Sequence, residues 1–180
     1  MGKMVWALVF LIGMGFPGFL YAHENMEKTD REGRLQIGTD LGFQVETLDG
    51  TAFALAFNGD YFLDRNFSVG PLIQFVLNDD LTQIGFSLQG KYHINLAGNP
   101  NLRPHLQGGL GFVFADLDLP GGGDDSDTSF LAPIGGGVEY RIARNVSASS
   151  TLLLNFTGLS IRGAVDNNAL AWYFGLRFIL

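Results

Sequence analysis

An eight-stranded antiparallel up-and-down transmembrane β-barrel is the fold this sequence predicts. Three observations lead there. Large apolar residues alternate with small or polar ones in eight successive stretches, which marks strands with two unlike faces. After residue 34 no apolar run reaches the ~18 residues a spanning helix needs, and helical periodicity is poor throughout. Charged residues make up only 16% of the chain, beside 25 Gly and a 13% aromatic share. An average soluble domain carries ~25% charge, so this composition excludes a disordered chain and a charged coiled coil.

The elements follow in order. Residues 35–45 carry Leu35, Ile37, Leu41, Phe43 and Val45 on one face. Residues 53–63 present Phe53, Leu55, Phe57, Tyr61 and Leu63, and residues 67–77 present Phe67, Val69, Ile73, Phe75 and Leu77. The fourth stretch has Ile84, Phe86, Leu88, Tyr92 and Ile94; the fifth has Leu102, Leu106, Leu110, Phe112 and Phe114. Phe130, Ile134, Val138, Tyr140 and Ile142 form the sixth apolar face, and Val146, Ala148, Leu152, Leu154 and Phe156 the seventh. The last is the clearest: Leu170, Trp172, Phe174, Leu176, Phe178 and Leu180 alternate with Ala171, Tyr173, Gly175, Arg177 and Ile179. Pro71 falls inside the third stretch, where a bulge is expected because proline cannot donate to a ladder. Pro104 and Pro133 are expected near strand ends.

No Asp, Glu, Lys or Arg lies on any of these apolar faces. Strands of ~10 residues cross a bilayer when tilted, and in lipid only a closed barrel satisfies every backbone hydrogen bond. A soluble lipocalin-like barrel is the competing fold. It would turn its apolar face inward and present Lys and Glu outward. Here the second face is mostly Gly, Ser, Ala, Gln and Asn, which suits a tight lumen instead.

Short periplasmic turns and longer outer loops are usual in such barrels. Residues 64–66, 95–101 and 143–144 read as turns; residues 46–51, 78–81, 116–129 and 157–168 read as outer loops. Both termini then lie in the periplasm. Tyr61, Phe67, Tyr92, Tyr140 and Phe178 form one aromatic girdle, and Phe43, Phe53, Phe75, Phe112, Phe130, Phe156 and Trp172 the other.

The domain organisation expected is a signal peptide over residues 1–22, a short solvated polar periplasmic leader over 23–34, and the barrel over 35–180. Lys3 supplies the positive start, residues 5–15 the apolar stretch and Leu20-Tyr21-Ala22 the cleavage end. The net charge of −7 argues against nucleic acid as a partner, since phosphates call for Lys and Arg. The absence of Cys removes thiol catalysis, disulfides and Cys-based zinc sites.

Leu102-Arg103-Pro104-His105 followed by Gly108-Gly109-Leu110-Gly111-Phe112 resembles the fifth strand of the small outer-membrane β-barrel family, the group that includes OmpA-like, OmpX-like and OmpW-like barrels. Residues 61–70 resemble that family's second turn. The end of the chain, with Gly175, Phe178 and Leu180, resembles the signal read by the barrel-insertion machinery, with Leu180 where the family usually has Phe. The resemblance covers the mature chain and implies the outer membrane of a diderm bacterium, with lipid and lipopolysaccharide as surroundings. It does not imply one function. A non-enzymatic structural or surface-interaction role stands beside a narrow OmpW-like channel for small apolar or weakly polar solutes.

Candidate chemistry is confined to the lumen and one loop. Asp40, Asp60, Lys91, His93, Arg103, His105, Glu139, Arg141 and Arg177 all fall on the inner face. Buried charges pair, and strand neighbours suggest Arg103–Glu139 and Arg177–Asp40. His93 and His105 can be read as metal ligands, as an acid–base pair or as members of a lumen hydrogen-bond network. Ser87 and Ser147 have no evident base, so no hydrolase is expected. The Gly-rich stretch with Asp124, Asp125 and Asp127 reads as a flexible solvated loop that could loosely hold Ca²⁺ or Mg²⁺. No other cofactor is expected. Small residues in the outer half, among them Ala52, Ala54, Gly85, Ser87, Gly109, Gly111, Gly135, Ala169 and Ala171, suggest a small cavity open to the outside above a plugged periplasmic half.

Overall fold

The computed structural model describes residues 31–47, 50–78, 81–119, 123–161 and 164–180. The predicted signal peptide, residues 1–22, and residues 23–30 of the predicted leader lie outside them. The described residues form eight strands: β1 (Leu35–Thr47), β2 (Gly50–Phe62), β3 (Phe67–Leu77), β4 (Leu81–His93), β5 (Leu102–Leu119), β6 (Gly123–Ala143), β7 (Val146–Ile161) and β8 (Ala164–Ile179). Each pairs antiparallel with the next, and β8 pairs with β1 to close an all-antiparallel barrel. Closure leaves no free sheet edge, as a membrane-spanning sheet requires.

The two faces are those the alternation predicts. Leu41, Phe43, Leu88, Leu106, Leu110, Phe112, Ile134, Leu152, Phe174 and Leu176 are exposed on the outside, while their neighbours in sequence point into the barrel. The aromatic residues also meet across strands. Phe43 opposes both Phe53 and Trp172, Phe112 opposes Phe86 and Phe130, and Phe67 opposes Tyr92.

Four expectations need correction. First, the outer connections are not long loops. β5 and β6 run to 18 and 21 residues and pair continuously through Asp118↔Asp124 to Leu119↔Gly123. Only 48–49, 78–80, 120–122 and 162–163 remain between strands at that end. Most of residues 116–129 is therefore ladder, because extended pairing satisfies backbone groups that an open loop would leave to water. Asp124, Asp125 and Asp127 are thus strand positions, spread along β6 instead of gathered in a flexible loop.

Second, no bulge forms at Pro71. The β2–β3 ladder lacks the Gly59–Pro71 and Asp60–Gly70 pairs, yet its register is the same on both sides of the gap. The strands approach closely here because residue 70 is glycine: a Cβ on Gly70 would collide with the Gly59 carbonyl oxygen. Third, Pro133 is not near a strand end but deep within β6, because β6 is longer than expected. The β5–β6 ladder skips the pairs opposite Pro133 and Ala132, again with no change of register. Both prolines break local hydrogen bonds without shifting the chain.

Fourth, the leader is not wholly solvated. Arg31 is only 2% exposed and enters the barrel mouth. The backbone bonds Gly33 N–H to Phe62 C=O (2.9 Å) and Phe62 N–H to Arg34 C=O (3.0 Å) hold this segment against the end of β2. Leu180 N–H donates to Leu35 C=O at 2.8 Å, so residue 31 and the C-terminus share one end of the barrel.

Candidate functional site

The inner faces of eight strands converge on one narrow lumen, and all nine predicted lumen residues face it. An eight-stranded barrel is just wide enough for side chains to fill its interior. They do so here in layers.

The lowest layer, at the end shared by the termini, centres on Glu139. Arg31 Nη1 donates to Glu139 Oε2 at 3.0 Å, and Gln36 Nε2 donates to the same oxygen at 3.4 Å. Arg103 does not take this carboxylate, contrary to expectation, although it is the register partner of Glu139. Arg31 reaches the carboxylate from outside the strand ladder, and Arg103 Nη1 is left without a hydrogen-bond partner. Arg31 also lies over the Phe62 ring, 5.3 Å from its centroid. Phe62 stands 5.1 Å from the His93 ring, and His93 stands 5.8 Å from His105, which opposes it across β4 and β5. Arg141 is buried near the same end.

Higher up, Lys91 Nζ donates to Asp60 Oδ2 at 2.8 Å. Above that, Arg177 Nη1 donates to Asp40 Oδ1 at 2.7 Å, as expected, and Asn58 and Ser149 donate to the same carboxylate at 2.7 and 3.3 Å. Two glycines make room for this pair. A Cβ on Gly175 would stand 2.1 Å from Asp40 Oδ1, and one on Gly38 would stand 2.6 Å from Arg177. Gly175, expected as part of an assembly signal, thus also has a packing reason to be glycine. Phe178 and Leu180, its companions in that expectation, are exposed on the outer face.

Among the described residues the upper half is packed and holds no open cavity. Leu72, Val76, Leu153 and Tyr173 pack against Ala52, Ala54, Ala56 and Ala171, and Val113, Ala115, Leu131 and Leu159 form a second apolar cluster. Amides complete the filling. Asn155 Nδ2 donates to Gln44 Oε1 (3.0 Å), Gln44 Nε2 to Gln83 Oε1 (3.3 Å), and Gln74 Nε2 to the Tyr173 hydroxyl (3.2 Å). The small residues that suggested a void are what larger neighbours fill; a Cβ on Gly85 would meet Leu131 at 2.8 Å. One internal cavity, bounded by Gln44, Gln74, Gln83 and Asn155, and another, bounded by Asp40, Lys91, Tyr173 and Arg177, measure about 10 Å³ each. That is room for about one water apiece.

Sequence reasoning missed Arg31, Phe62 and the Ser68–His93 contact. Ser68 Oγ lies 3.1 Å from His93 Nε2, a pairing diagonal to the ladder, since Ser68 itself opposes Lys91. Both residues are fully buried, so no acyl substrate reaches this hydroxyl. Phe62 did leave a signal: it is a large aromatic on the inner face of a strand whose other inner residues are small or polar.

The family model described as outer membrane protein beta-barrel domain matches residues 10–178. No curated protein sequence matches. Among solved structures, the N-terminal β-barrel domain of Pseudomonas aeruginosa OprF is 16% identical, with 83% of this chain and 98% of that chain covered and a TM-score of 0.62. Neisserial surface protein A is 18% identical, with 81% and 95% covered and a TM-score of 0.65. Ail, the attachment invasion locus protein of Yersinia pestis, is 13% identical, with 83% and 99% covered and a TM-score of 0.56. At such identities the likeness is one of fold.

Proposed function

Because this chain belongs to the outer membrane protein beta-barrel domain family, we propose that it is a sealed, non-enzymatic barrel with a structural or surface-interaction role in the outer membrane. The observation that carries this is the filled lumen. Charged pairs close the lower half, apolar and amide layers close the upper half, and the two cavities described above are each about 10 Å³. A solute pore needs a continuous water path, and a chain of filled layers supplies none.

The termini end faces the periplasm in this reading. The opposite end, where β5 and β6 rise beyond the shorter strands, then faces outward and presents the surface for contact. Asp116, on the outer face of β5, is exposed there, at a height where a charge is compatible only with a position clear of hydrocarbon.

Planar-bilayer recording tests the reading. Wild-type barrel should give no steady conductance. Truncating the lowest layer, by Glu139→Ala with Arg31→Ala, should leave it closed, because the layers above still fill the lumen. Steady conductance from the wild-type protein would overturn the sealed-barrel reading in favour of a channel.

A further inference from the structure

We propose that His93, His105 and Glu139 form a transition-metal site in the floor of the barrel, selective for Zn²⁺ over Ca²⁺ and Mg²⁺. One potential ligand atom from each of the three lies within 4.8 Å of the other two. They come from three adjacent strands. His93 opposes His105 across β4 and β5, and Glu139 sits two positions along β6 from Gly137, the register partner of His105. All three side chains are buried. Ligand atoms bound ~2.0–2.2 Å from a tetrahedral ion stand about 3.3 Å apart, so modest side-chain rotations close the set with the strands in place.

A second observation also points to a ligand. Both ring nitrogens of His105, and Nδ1 of His93, are buried without a hydrogen-bond partner. Native interiors rarely leave such atoms unsatisfied. When His93 Nε2 donates to Ser68 Oγ, its lone pair falls on Nδ1, the free nitrogen; a bond to the far nitrogen orients a metal-binding imidazole in this way. Two imidazoles with one carboxylate make a nitrogen-rich donor set that suits Zn²⁺; Ca²⁺ and Mg²⁺ seek oxygen ligands.

The opposing force is local positive charge. Lys91 is engaged by Asp60, but Arg31 occupies Glu139 directly, and Arg103 lies on the neighbouring strand. Arg31 is therefore the competitor of the metal. It belongs to the segment ahead of β1, so it can leave Glu139 without breaking the ladder. Metal entry and release of Arg31 are then one event, which couples metal to the position of the leader.

The test uses the full chain folded in detergent micelles, with Zn²⁺ titrated by calorimetry and Co²⁺ followed by its visible ligand-field absorption. Wild-type protein should bind Zn²⁺ reversibly and saturably, with His105→Gln or Glu139→Gln weakening it roughly tenfold or more. Arg31→Gln should tighten it and should enlarge the Zn²⁺-induced rise in unfolding temperature. Co²⁺ should give intense tetrahedral-type bands that Zn²⁺ bleaches, a readout on wild-type protein that does not depend on any variant folding. Absence of saturable binding in both wild type and Arg31→Gln would overturn the proposal. So would Zn²⁺ binding unchanged in folded His105→Gln and Glu139→Gln, which would assign the ion to surface acids. A Co²⁺ spectrum showing only oxygen ligation would do the same.

Discussion

Asp40 shows how a single inner residue is held. Its carboxylate takes Arg177, Asn58 and Ser149 from three other strands. Removing one partner of such a buried pair leaves an uncompensated charge and costs about 3–5 kcal/mol, whereas replacing both with apolar groups of similar size is often neutral. Asp40→Ala should therefore lower the stability of the folded barrel by about that amount in urea unfolding from vesicles. Asp40→Leu combined with Arg177→Met should recover most of it. If the double variant is as unstable as the single, the pair is not the cause. Half of the pairing scheme was legible in the sequence. Arg177–Asp40 follows from opposite charges on adjacent inner faces, near the closure of β1 on β8. The expected Arg103–Glu139 bond fails because Arg31, which no strand pattern contains, reaches the carboxylate first.

At the scale of the strand, depth decides what a substitution costs. Leu88 is 63% exposed in the middle of β4, and Ile142 is 56% exposed near the end of β6. Arginine on the lipid face costs ~2–4 kcal/mol at the bilayer midplane and ~0–1 near the interface. Leu88→Arg should thus impair insertion into vesicles strongly, and Ile142→Arg little; equal effects would contradict the placement of the strands. The inward-facing neighbour of Leu88, Ser87, should not tolerate arginine either, for a different reason. Ser87 is fully buried and accepts a hydrogen bond from Gln89 at 2.8 Å, and the lumen around it has no space for a guanidinium. The seam of β1 with β8 offers another test. A Cβ on Gly42 would lie 1.9 Å from the Trp172 carbonyl oxygen. Gly42→Ala should therefore prevent closure, seen as loss of the heat-modifiable compact band on gels. Strand existence and facing were readable because alternation against lipid is a strict rule. The outer ends of β5 and β6 were not, because beyond the hydrocarbon polar and apolar residues are equally tolerated and the alternation loses its meaning.

For the whole barrel, charge is distributed by end. β5 and β6 carry Asp116, Asp118, Asp124, Asp125 and Asp127 beyond the apolar belt, with Asp118 and Asp124 directly opposed in register. Facing anionic lipopolysaccharide, such an end should be repelled unless divalent cations lie between. Binding of the folded barrel to lipopolysaccharide should accordingly fall when EDTA is added and return with excess Mg²⁺; indifference to chelator would remove this contact from the proposed role. The sequence by itself determined the strand number, the lipid-facing residues and the inward set of charges. Each depends only on a period of two and on the high cost of a polar group in hydrocarbon. Tertiary structure alone decided that Arg31 closes the floor, that Ser68, His93, His105 and Glu139 meet there, and that both mid-strand prolines keep their register. It also decided that the lumen is filled. Which side chains occupy a narrow interior depends on strand stagger and closure, and on the sizes of residues brought together from opposite walls, distances that no local pattern along the chain encodes.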